Sequence, residues 1–88
     1  MADLKAQFEQ AQNDVKTLTK QPGVEDMLTL YALFKQGSQG DVSGSRPGML
    51  DVKGRAKYDA WAKFKGTAKD EAIKKYVEKV AALLKTHK

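Results

Sequence analysis

Cysteine is absent from the chain, which removes disulfide staples and thiolate metal sites together. Its lack fits a reducing compartment, and the fold must be held by packing alone. Long hydrophobic runs are missing too. The longest purely apolar stretch, "VAALL" at residues 80–84, is far too short to cross a bilayer. No basic start leads into an apolar N-terminal segment, so the expectation is a soluble, cytoplasmic protein. Strand-like alternation and internal repeats are also lacking.

The residues that carry catalysis are equally scarce. The one histidine, His87, lies beyond the last apolar position at what reads as a frayed C-terminus, with no cysteine to help hold a metal. Ser38, Ser43 and Ser45 fall in a glycine-rich segment with neither a GxSxG elbow nor a partner base. Carboxylates are scattered singly except for Glu25–Asp26 and Asp70–Glu71, where a helix dipole already accounts for them. No GK[ST] follows the loop glycines, so a Walker-type phosphate cradle is missing. The expectation is a protein that is not an enzyme and uses no metal or cofactor.

What the chain does have is charge, unevenly placed. Its net +5 divides into about −2 over residues 1–52 and about +7 over residues 53–88. A basic half suits anionic partners such as nucleic acid, phosphorylated metabolites or acidic lipid. A lysine-rich surface kept for solubility would look the same.

At 88 residues there is room for one domain, residues 1–88, which buries about 60 to 65% of the surface its unfolded chain exposes. Leu4, Phe8, Ala11, Val15 and Leu18 recur at steps of three and four, predicting a first helix that stops before Pro22. A second helix is expected from Val24 to about Gln36, ended by Gly37. Its apolar residues cover most of the circumference, so it should pack on more than one neighbour. The segment "GSQGDVSGSRPGML" then holds four of the seven glycines and reads as a long loop packed to position its flanking helices. Asp51 can cap a third helix with apolar positions Val52, Ala56, Ala60, Trp61 and Phe64, stopped by Gly66. Thr67, with Asp70 three residues on, suggests a capping box opening a fourth helix. The fold class is all-α, most simply a four-helix bundle.

Aromatics and lysines remain, at helical spacing. Tyr31, Phe34 and Lys35 share one side of the second helix. Lys53 and Lys57 repeat the four-residue step on the third, and Tyr76 follows Lys74 and Lys75 on the fourth. Rings that stack on a base, with ammonium and phenol groups that hold phosphate oxygens, suit a nucleotide. Core aromatics edged by snorkelling lysines would give the same pattern.

The segments "MLTLYALFKQGSQGDV", "RPGMLDVKGRAKYDAW" and "KGTAKDEAIKKYVEKV" closely resemble the acyl-coenzyme A-binding protein family, also called the diazepam-binding inhibitor family. The likeness runs from about Phe8 to Val80. It implies an up-down-down-up four-helix bundle with a long overhand loop between the second and third helices. It also implies binding of long-chain fatty acyl thioesters of coenzyme A with high affinity, as an intracellular carrier and pool former that serves acyl-coenzyme A-using enzymes, as a monomer.

Carried over by position, Tyr31, Lys35 and Lys57 match residues that hold the 3′-phosphate, and Phe34 matches the aromatic beside the adenine. Lys16 and Lys53 match further cationic contacts with the nucleotide head, and Tyr76 completes the site. Phe8, Met27, Leu28 and Ala56 match an acyl-chain groove expected between the first, second and third helices. The chain departs from the family's common pattern at Phe34, where tyrosine is usual, at Tyr58, where "KWDAW" has tryptophan, and at Gln21, where lysine is frequent. Two alternatives stay beside this reading: a nucleic-acid-binding module using the basic half, and a module that touches anionic membrane surfaces.

Overall fold

The computed structural model describes residues 3–87. Four helices follow in order: α1 (Leu4–Val15), α2 (Val24–Gln39), α3 (Val52–Ala62) and α4 (Lys69–Thr86). Among the described residues there is no strand.

Helix α1 starts at Asp3, whose carboxylate accepts from the Lys5 N–H. It ends earlier than the apolar stripe suggests. The Thr17 hydroxyl and amide both turn back on the Asp14 carbonyl, which closes the chain into a turn after Val15. Leu18 still packs on the core, from this turn rather than from the helix.

Helix α2 runs through Gly37 to Gln39, because Gly37 is a point of close approach and not a stop. A Cβ there would lie 2.8 Å from Ile73 Cγ1 of α4. The stop falls at Gly40, whose φ of 89° an L side chain rarely adopts. The Asp51 cap forms as expected, its carboxylate accepting from the Gly54 N–H. Val52, expected among the apolar positions of α3, is exposed instead.

The capping box at Thr67 does not form. Helix α4 begins one residue later, with Ala68 at its N-cap and no side-chain cap, so Asp70 and Glu71 serve the dipole alone. The Thr67 carbonyl is meanwhile taken by Gln36 Nε2 at 2.8 Å. Nor is the C-terminal end of α4 free. The His87 carbonyl accepts from the Thr19 and Lys20 amides at 3.0 and 2.8 Å, tying it to the α1–α2 connection.

Helix α4 lies between α1 and α2, and α3 packs on α2 alone. Helices α2 and α4 are antiparallel: Asp26 pairs with Lys79 and Gln36 meets Thr67. Helices α2 and α3 are parallel, since Val24 faces Lys53 while Lys35 reaches Trp61. Thr19 beside His87 and Phe8 against Tyr76 make α1 and α4 parallel. The order is therefore up, down, down, up.

Helix α2 serves two cores. Leu30 and Leu33 join Phe8, Ala11, Ala72, Tyr76, Val80 and Leu83, while Ala32 meets Ala60 and Trp61. The connection of residues 40–51 must run back along the molecule to start a parallel helix, and four ties hold it. Trp61 Nε1 donates to the Gly40 carbonyl at 2.9 Å, and the Tyr58 hydroxyl donates to that of Gly44 at 3.1 Å. Arg46 makes a two-pronged pair with Asp59. Asp41 accepts from Gln36 Nε2 and the Gly66 N–H, both at 2.8 Å.

Candidate functional site

Parallel packing of α2 on α3 leaves a crease between them, because small residues stand where the helices meet. An opening of about 560 Å³ is lined by Pro22, Val24, Met27, Leu28 and Tyr31 on one side and Lys53, Ala56 and Lys57 on the other. A second opening of about 500 Å³ continues it, sharing Leu28 and Ala56 and adding Thr29, Ala60 and Phe64 together with the charged Glu25, Asp59 and Lys63. The crease is mostly apolar and open along its length.

At its end the walls change character. Lys57 of α3 holds its ammonium 5.4 Å from the centre of the Tyr31 ring, and Lys35 holds its own 5.9 Å from the same ring. Trp61 also presents its ring to Lys35, 5.7 Å from the nitrogen to the ring centre. Among the described residues, neither lysine has a carboxylate within ion-pair distance; the ion pairs there are Arg46–Asp59 and Lys79–Asp26. Two like charges held over one ring repel, and the ring's negative face offsets this only in part. A polyanion between them would remove the repulsion.

Beyond Tyr31 lies a smaller opening of about 240 Å³, lined by Val15, Met27, Leu30, Tyr31, Phe34 and Tyr76. It shares Met27 and Tyr31 with the main crease, so the two openings adjoin. Phe34 and Tyr76 present two rings to it, with centres 6.4 Å apart. Burial raises the Tyr76 phenol above its ordinary pKa, which is already well above pH 7, so the group is a neutral donor there.

Tyr31, Lys57, Phe34, Tyr76, Met27, Leu28, Ala56 and Lys53 thus line one connected depression from three helices, and Lys35 stands beside it against the Tyr31 and Trp61 rings. Lys16 is exposed and lines none of these openings, although its neighbour Val15 lines the smaller one. Phe8 is elsewhere: it is buried between Phe34 and Tyr76, with ring centres at 5.7 and 5.2 Å, and does not line the crease. The wall expected from the first helix is supplied by Gln21 and Pro22 of the α1–α2 connection. Its ring instead backs Phe34 from the core side.

A model of the acyl CoA binding protein family matches residues 5–80 of the chain. An acyl-CoA-binding protein homolog of Manduca sexta is 50% identical over 82 residues, which make up 92% of this chain and 91% of that one. The chain belongs to the acyl-CoA-binding protein family. A second such relative, acyl-CoA-binding protein homolog 1 of Caenorhabditis elegans, is 51% identical over 77 residues, covering 88% of this chain and 90% of its own. The crystal structure of Oryza sativa acyl-CoA-binding protein 2 superposes with a TM-score of 0.90 at 41% identity, over 94% of this chain and 92% of the other. The all-α, four-helix fold is that of the acyl-CoA-binding proteins. The family match spans every expected site residue from Lys16 to Tyr76.

Sequence reasoning overlooked two contributors. Trp61 reads as an apolar position of α3, yet its ring supports Lys35. Val24 reads as a helix start, yet it lines the crease. The signal for Val24 was its position three and four residues before Met27 and Leu28. For Trp61 no local signal existed, because its partner lies on another helix.

Proposed function

We propose that the chain binds long-chain fatty acyl-coenzyme A and acts as a non-enzymatic carrier and pool former, working as a cytoplasmic monomer that hands its cargo to acyl-coenzyme A-using enzymes. One observation carries this reading: two ammonium groups, neither paired with a carboxylate among the described residues, lie against the Tyr31 ring at the junction of an aromatic pocket and an apolar crease. That sequence of surfaces suits a ligand with a base, a cluster of phosphates and a long hydrocarbon tail.

Lys35, Lys57 and the Tyr31 hydroxyl hold the 3′-phosphate. Phe34 stacks on the adenine, with the neutral Tyr76 phenol as a donor beside it and Lys16 beyond the rim. Lys53 meets the diphosphate where the crease begins. The acyl chain then follows Met27, Leu28 and Ala56 between α2 and α3. Each methylene removed from water contributes about 0.8 kcal/mol, so a tail that buries about ten gains about 8 kcal/mol before ordering costs. The head group supplies orientation, and the tail supplies selectivity for length.

Membership of the family supports this reading, since its matched relatives are named for acyl-CoA binding. The test is calorimetry with a long-chain acyl-coenzyme A. Lys35→Ala and Lys57→Ala should each weaken binding about 10- to 100-fold, because each removes a charge-assisted phosphate contact worth about 1.5 to 3 kcal/mol. Unchanged affinity in both variants would refute the site assignment.

A further inference from the structure

Met27 and Met49, the two methionines among the described residues, stand in different surroundings. Met49 is 82% exposed, in the turn before the Asp51 cap, and lines none of the openings described above. Met27, in the first turn of α2, is 44% exposed and lines both the crease and the smaller opening beside Phe34. Neither hydrophobic core includes it. Its thioether therefore forms part of a groove wall that a small oxidant can reach.

The wall around it is inert by comparison. Val24, Leu28 and Ala56 carry only hydrocarbon, and Met27 brings the one sulfur atom among the described residues that line the crease. Cysteine is absent from the whole chain, so no thiolate competes for the oxidant. Oxidation turns a flexible apolar side chain into a polar one, and it is reversible.

We propose that Met27 is a peroxide-modification site whose sulfoxide closes the crease to acyl chains. The consequence for binding rests on the carrier reading. In the modifying step the Met27 sulfur attacks the terminal oxygen of a hydroperoxide; an S–O bond forms and the O–O bond breaks. Sulfur is oxidised to the sulfoxide. The proton of the transferred oxygen passes to the departing one, so hydrogen peroxide is reduced to water and an organic hydroperoxide to its alcohol. Two thiols reverse the change, becoming a disulfide while the oxygen leaves as water. In the empty crease, water solvates the sulfoxide oxygen. An acyl chain laid along Met27 strips that water and supplies no donor in its place. A chain already bound covers the sulfur, so the empty carrier is the form that peroxide modifies.

The test treats the full chain with hydrogen peroxide, locates the sulfoxides by peptide mass spectrometry, and titrates treated and untreated protein with short and long acyl-coenzyme A esters by calorimetry. Met27 should oxidise, and saturating long-chain ester should slow that reaction without slowing the one at Met49. The oxidised chain should bind the long ester about tenfold or more weakly, with a smaller loss for short esters and an unchanged thermal melt. Methionine sulfoxide reductases of both stereospecificities should restore binding. Met49→Leu should keep the whole response, whereas the affinity of Met27→Leu, at whatever level it starts, should not change on treatment. Undiminished affinity with Met27 oxidised, an equal loss for short and long esters, or a loss that survives in Met27→Leu would overturn the proposal. Oxidation of Met49 with Met27 left intact would do the same. An untreated chain that binds no acyl-coenzyme A would overturn the carrier reading before any oxidant is added, and the proposed closure with it.

Discussion

Lys35 sits between two rings, Tyr31 and the chain's one tryptophan, Trp61. A phosphate that draws the ammonium toward Lys57 must change the field on the indole. Titration with coenzyme A should therefore shift or quench tryptophan emission, and the change should be largely lost in Lys35→Ala; an emission spectrum indifferent to saturating ligand would contradict this geometry. At this scale much of the candidate site could be read from the sequence. Tyr31, Phe34 and Lys35 lie within one stretch of a helix, so spacing alone placed them together. Lys57 needed the resemblance, because nothing local says that α3 lies parallel to α2. Phe8 was misplaced for a related reason. Its periodicity gives a buried face of α1 but not which of two adjoining surfaces that face meets.

Helix boundaries show which signals tertiary contact overrides. Gly37 looks like a stop, yet α2 continues because the missing Cβ lets Ile73 approach. Gly37→Ala adds a methyl with no room. The overpacking cost of about 1 to 3 kcal/mol exceeds the gain of about 1 kcal/mol in helix propensity. Urea denaturation should show a net loss of stability, and a gain would mean that the α2–α4 contact yields freely. Thr67 looks like a cap, but its carbonyl is engaged by Gln36 and the helix starts one residue on.

The connection after α2 is fixed by Asp41. The Gly66 N–H, then the Gln36 amide, and to a smaller degree the Lys65 charge hold its carboxyl below the ordinary carboxylate value. A folded-state pKa below the unfolded value gives stability that is complete above about pH 4 and is lost as pH falls through the folded value. Asp59, held low chiefly by its hydrogen bond from Arg46, adds to the same window. Asp41→Asn should flatten the acid limb of stability against pH measured by thermal melts. An unchanged limb would mean that this lock does not couple folding to protonation.

Taken whole, the molecule combines two cores that share α2 with one open crease beside it. Length, the absence of strands and the glycine-rich connection made four helices legible from sequence. Their directions were not legible without the resemblance, since amphipathic stripes specify buried faces and not order. Among the described residues, no helix is long and apolar enough to cross a membrane. Calorimetric titration with coenzyme A and with its acyl esters from short to long measures whether the crease takes up the acyl chain. Coenzyme A alone should bind weakly, and affinity should climb with each added pair of methylenes until the crease between α2 and α3 is filled. Affinity that stays flat from short to long chains would contradict that uptake.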